Sequence, residues 1–216
     1  MAAAPPARIV VHLVDLDLKC EGVEAWSGLA PGDLHRSVAI ASPTERAGFL
    51  AGRRLLRAVL GQRLGCAPED VPIRATPRGK PFLNTGRPAF SLARRDRWCA
   101  IAFSEDCAVG VDVEPIRAIA GLDAMIAQFF PPEAQSDLEG TDPDERIIAF
   151  FRWWTRLEAA VKACGESLDA GSACLRVAPQ RHCYAVPGLA LAVAAVTDAP
   201  LTVEWHLSGG PLAFQG

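Results

Sequence analysis

The sequence predicts an α+β fold, and three observations carry that prediction. Two long amphipathic segments, Ser42–Leu64 and Asp144–Cys164, have helical spacing, and each is followed by glycine. Short β-type runs lie around them, at Arg8–Asp17, Trp98–Ser104 and Ala108–Glu114. Helices and strands are mixed without the regular alternation that builds a parallel α/β sheet.

Taken in order, Met1–Arg8 is rich in alanine and proline and has no basic stretch before a long apolar one, so no secretory signal is expected. Arg8–Asp17 (RIVVHLVDLD) reads as an opening strand. Ser42-Pro43-Thr44-Glu45 reads as a helix start, where a hydroxyl caps free amides and proline suits the first turn. That helix carries Phe49, Leu55, Leu56, Val59 and Leu60 on apolar positions to Leu64, and Gly65 stops it. Cys66–Gly86 is expected to be a loop with short extended pieces. Strands at Trp98–Ser104 and Ala108–Glu114 are joined by Glu105-Asp106-Cys107, and Pro115 closes the second. A helix over Ile119–Phe130 is broken by Pro131-Pro132. A long helix begins at Asp144 and ends at Gly165. From Leu175 to His206, apolar stretches with turns at Gly188 and Pro200 read as strands of a second sheet.

The 216 residues are 50% apolar and 22% charged, which is ordinary globular composition. A net charge of −3 argues against a strongly basic nucleic-acid binder. No apolar run approaches the roughly 20 residues that span a bilayer. Neither nucleic acid nor membrane is therefore an expected partner. Seven cysteines stand singly, without Cys-x-x-Cys, which suits reduced thiols in the cytoplasm rather than a disulfide framework. Charge is segregated. Arg74, Arg78, Lys80, Arg87, Arg94, Arg95 and Arg97 face one acid, Asp96, whereas Glu105–Glu145 holds eleven acids and only Arg117. This order suits a ligand with several phosphates and a bridging metal, or two solvated faces that neutralise each other.

The sharpest local feature is Gly110-Val111-Asp112-Val113-Glu114. On a strand the valines enter the core, and Asp112 and Glu114 share the other face, about 7 Å apart. Two carboxylates so placed suit a hard cation. An edge strand with a polar outer face gives the same pattern. The second feature is Trp153–Lys162 (WWTRLEAAVK). Phe150, Trp154, Leu157 and Val161 form one helical stripe, while Glu158 and Lys162 are one turn apart, as a surface ion pair or as parts of a site.

Together with Gly52-Arg53-x-Leu-Leu-Arg57, Gly79-Lys80-Pro81, Phe90-Ser91-Leu92 and Phe129-Phe130, these motifs form an ordered series. It resembles the 4′-phosphopantetheinyl transferases, most closely the monomeric surfactin-synthetase-activating type, over about Ser42–Leu168. The resemblance implies a pseudo-dimer of two similar α+β halves with the active site in the cleft between them. The halves would be 1–108, for coenzyme A and carrier protein, and 109–216, for the metal and the catalytic helix. It implies transfer of 4′-phosphopantetheine from coenzyme A to a serine of an apo acyl or peptidyl carrier protein, with release of adenosine 3′,5′-bisphosphate, by a monomer. It assigns Asp112, Glu114 and Glu158 to Mg²⁺, Glu158 and Lys162 to catalysis, and Arg53, Lys80, Pro81, Ser91, Arg94 and Lys162 to coenzyme A.

The chain departs from the family pattern at two main places. Arg94 stands where the family has a histidine that contacts phosphate, and it can still bind phosphate but cannot titrate. Leu157 stands where the family has a lysine beside the acids, and Leu157→Lys is expected to hold or raise turnover. Ser167 replaces a common glycine. These changes keep a second reading open, a non-catalytic relative that binds coenzyme A or a carrier protein without transfer.

Overall fold

A computed structural model describes residues 5–16, 27–183 and 186–208. Its first strand, β1 (Ala7–Asp15), matches the expected opening strand, whose last expected residue, Asp17, lies outside the described residues. Helix α1 (Pro31–Val38) follows, then α2 (Pro43–Leu64). The Ser42 hydroxyl accepts the Glu45 N–H at 3.3 Å and Gly65 closes α2 at φ 67°, so both ends lie where the capping chemistry put them. A 3-10 turn (Pro68–Asp70) leads to the short hairpin β2 (Ile73–Ala75) and β3 (Pro81–Leu83). Strands β4 (Ala89–Arg95), β5 (Trp98–Ser104) and β6 (Ala108–Pro115) come next. Three helices then follow, α3 (Leu122–Phe129), α4 (Pro132–Glu139) and α5 (Arg146–Cys164). A 3-10 turn (Leu168–Ala170), helix α6 (Gly171–Val177) and strands β7 (Gln180–Cys183), β8 (Leu189–Val196) and β9 (Leu201–Ser208) complete the described chain.

The class is α+β, as expected. Strands β4-β5-β1-β9 form one sheet and β6-β8-β7 another, with β2-β3 as a separate pair. Val11 and Leu13 of the first sheet pack on Val111, Val113, Leu191 and Val193 of the second. Leu56 and Leu60 of α2 cover the far side of the first sheet at Ile101 and Phe103. Ala159, Ala160 and Ala163 of α5 cover the far side of the second at Ala192 and Ala194. The order of layers is thus helix, sheet, sheet, helix. The expected division at 108/109 falls at the start of β6. The last strand, β9, lies parallel to β1, with Leu201 opposite Ala7 and Ser208 opposite Val14.

Five elements differ from expectation for local reasons. α3 starts at Leu122 because Gly121, at φ 72°, delays it. α1 and α4 begin at prolines, Pro31 and Pro132. A proline that breaks one helix can occupy the first turn of the next. Phe90-Ser91-Leu92-Ala93 alternates and becomes β4. Leu175-Arg176-Val177 completes α6 instead of opening a strand.

Candidate active site

The site is built where α5 lies across β6. The contact depends on Gly110: a Cβ there would stand 2.0 Å from the Ala159 carbonyl oxygen. Side chains two and four residues further along β6 leave the same face. Asp112 accordingly meets α5, and its Oδ1 accepts from Lys162 Nζ at 2.6 Å. The same ammonium stands 3.8 Å from Glu158 Oε2, so Lys162 bridges the strand carboxylate and the helix carboxylate. Glu114 Oε2 lies 3.1 Å from Arg95 Nε and accepts from Arg117 at 3.2 Å. Val111 and Val113, which alternate with these acids, are buried, as the alternation predicts.

Burial pushes the Glu158 carboxyl above the ordinary carboxylate range, Lys162 pulls it down, and Asp112 and Glu114 push it up again. Glu114 is raised chiefly by burial and then by Asp112, against the pull of Arg95 and Arg117. Burial disfavours the charged form of Lys162, but Asp112, Glu158 and Glu114 outweigh it and hold its pKa above the usual lysine value. The three acids and the lysine therefore share one electrostatic neighbourhood.

Among the described residues, no group of three or more His, Cys, Asp or Glu converges closely enough to hold a metal ion. Asp112 Oδ2, however, is buried and has no hydrogen-bond partner. A buried carboxylate oxygen without a donor is costly, and a hard cation on that oxygen removes the cost. Asp112 Oδ2 is thus an oxygen of the type that hard cations prefer, with Glu114 and Glu158 in the same electrostatic neighbourhood.

The other expected site residues are dispersed. Lys80 Nζ donates to the carbonyls of Lys162 and, at 3.4 Å, Ala163, which ties it to the C-terminal end of α5. Burial lowers its pKa, with Cys164 opposing. Pro81 opens β3. The Ser91 hydroxyl accepts the Val111 N–H at 3.1 Å and so joins β4 to β6 beside the acids. Arg53 is only 7% exposed, and its Nε donates to Asp33 at 2.6 Å. Arg57 shares that carboxylate, so the pair binds α2 to α1. Arg94 turns to α2, where its side chain covers Gly48 and Gly52. The structure brings Asp112, Glu114, Glu158 and Lys162 together. It does not bring Arg53 or Arg94 to them.

Arg95, Arg117 and Gly110 were absent from the expected site. Period-two alternation along β4 would have separated Arg95 from Arg94, and glycine within a strand often marks a close backbone approach. Leu157 also corrects an expectation. It is 0% exposed and packs on Gly171 of α6 among the aromatic side chains of α5. A lysine there would enter the core rather than stand beside the acids. Leu157→Lys is expected to cost about 3 kcal/mol of stability. A thermal melt unchanged from wild type would contradict that placement.

A two-sheet α+β protein with carboxylates and a lysine between β6 and α5 is the class that these features define. The family model of the 4'-phosphopantetheinyl transferase superfamily matches residues 108–191. The chain is 33% identical over 144 residues to the 4'-phosphopantetheinyl transferase AcpT of Salmonella typhimurium, covering 65% of this chain and 71% of that one. It is 30% identical over 165 residues to AcpT of Escherichia coli, covering 73% and 80%. It is 31% identical over 145 residues to HetI of Nostoc sp., covering 65% of this chain and 61% of HetI. The chain belongs to the 4'-phosphopantetheinyl transferase superfamily.

Proposed function

We propose that this protein is a magnesium-dependent transferase that moves 4′-phosphopantetheine from coenzyme A to a serine hydroxyl of an acyl or peptidyl carrier protein, acting as a monomer in the cytoplasm. One observation carries the reading. Asp112 has one oxygen on Lys162 and the other buried without a protein partner, next to two carboxyls whose pKa values are raised.

Asp112, Glu114 and Glu158 are the residues that would hold Mg²⁺, which when bound supplies positive charge to the diphosphate oxygens. Glu158 takes the proton of the carrier serine as the carboxylate one helical turn from Lys162. The serine oxygen then forms a bond to the phosphorus next to pantetheine. The bond from that phosphorus to the bridging oxygen breaks, and adenosine 3′,5′-bisphosphate leaves. Lys162, already held between Asp112 and Glu158, faces the growing negative charge with little reorganisation. Lys80 adds positive charge at the end of the same helix. The basic residues between Arg74 and Arg97 suit an acidic carrier, although Arg78 already pairs with Glu166 and Arg97 with Asp15.

The test is incubation with coenzyme A, Mg²⁺ and an apo carrier protein, read by intact mass. The expected result is a gain of one phosphopantetheine, lost when the carrier serine is replaced by alanine. No gain on any carrier, with coenzyme A still bound, would identify the non-catalytic relative instead.

A further inference from the structure

Arg94 and Arg95 are adjacent on β4 and leave opposite faces of it. Phe90 and Leu92 share the face of Arg94 and pack in the core beneath α2. Ser91 and Ala93 share the face of Arg95, with Ser91 on Val111 and Ala93 in the core between the sheets. The register of β4 therefore delivers Arg95 to the acids. Its Nε is 3.1 Å from Glu114 Oε2, the oxygen that Arg117 also engages. The Arg95 side chain is 45% exposed and that of Glu114 is 12% exposed, so the carboxylate is enclosed while the guanidinium faces solvent.

We infer that Arg95 is the anion-binding and positioning guanidinium of the site: it engages the diphosphate of coenzyme A and, through Glu114, competes with the divalent cation. This rests on the function proposed above. A half-exposed ion pair is weak, whereas a guanidinium fork on a phosphate makes two charge-assisted hydrogen bonds. Exchanging Glu114 for phosphate is therefore favourable once a cation takes Glu114. Before that exchange, Arg95 and the cation seek the same carboxylate. Coenzyme A and the cation then each release Arg95 for the other, which couples their binding positively.

Calorimetric titrations of coenzyme A and of Mg²⁺ test this on wild type, Arg95→Ala, Arg95→Lys, Arg94→Ala and, as a charge control, Arg97→Ala. Arg95→Ala is expected to weaken coenzyme A about tenfold. In the absence of coenzyme A it is expected to tighten Mg²⁺ about threefold. Arg95→Lys should fall between wild type and Arg95→Ala for coenzyme A, because it keeps the charge without the fork. A purely structural role would weaken both ligands together. Wild-type binding of coenzyme A with no change in Arg95→Ala overturns the inference and leaves the proposed function standing. So does a loss confined to Arg94→Ala, or weaker Mg²⁺ binding in Arg95→Ala. Absence of coenzyme A binding in wild type overturns both.

Discussion

Gly110→Ala is expected to cost about 4 kcal/mol or more, placing it among the most damaging single changes. The added methyl would stand 2.0 Å from the Ala159 carbonyl oxygen and 2.4 Å from the Ala163 nitrogen. Both are helix backbone atoms, so no rotamer change relieves the clash, and α5 has to move from β6. The movement would also part Asp112 from Lys162. For a chain of this size the melting temperature should fall by roughly 10 °C. Gly171→Ala is the comparison, because a methyl there meets the Leu157 side chain at 2.4 Å. A side chain can yield, and about 1 kcal/mol is expected. If Gly110→Ala melts within about 2 °C of wild type, the close crossing of β6 and α5 is wrong.

Glu158→Gln should lower phosphopantetheine transfer by about 10²- to 10³-fold while leaving the fold at least as stable. The stability effect is electrostatic and belongs to the protein without a bound cation. Burial, with Asp112 and Glu114 near, raises the carboxyl pKa against the pull of Lys162. A group that binds its proton more tightly when folded favours the fold below its unfolded pKa. That advantage is lost as pH rises through the folded pKa. At neutral pH the charged Glu158 is thus a burden on stability, and the neutral amide removes it. Melts of wild type and Glu158→Gln should diverge most at neutral pH and converge as pH falls through the raised carboxyl range. A Glu158→Gln variant with an undiminished rate would eliminate the proposed base.

What was legible in the sequence follows from how local each signal is. The capped ends of α2 and the termination of α5 depend on residues within a turn of each other, and both lie where their chemistry put them. Asp112 and Glu114 were placed on one face by strand parity, and Lys162 near Glu158 by helical spacing. The buried Asp33 between Arg53 and Arg57 was not legible, since nothing local says that α1 returns to α2. Leu157 was placed on the apolar stripe by helical spacing and is buried there, but its contact with Gly171 of α6 was not legible, since nothing local says that α6 folds back onto α5. Arg94 was preferred to Arg95 by motif position, while β4, which had not been expected as a strand, held the parity that separates them.

The parallel pairing of β9 with β1 joins residues 7–14 to residues 201–208. On the ribosome, β1 is made early, and one of its edges waits for a partner until nearly the whole described chain has been synthesised. Its other edge is taken sooner, by β5. The completed first sheet is therefore a late event in the life of each molecule, with an apolar strand edge on offer meanwhile. Substitutions that weaken β9 would accordingly act through solubility and yield, before any effect on the chemistry at Asp112.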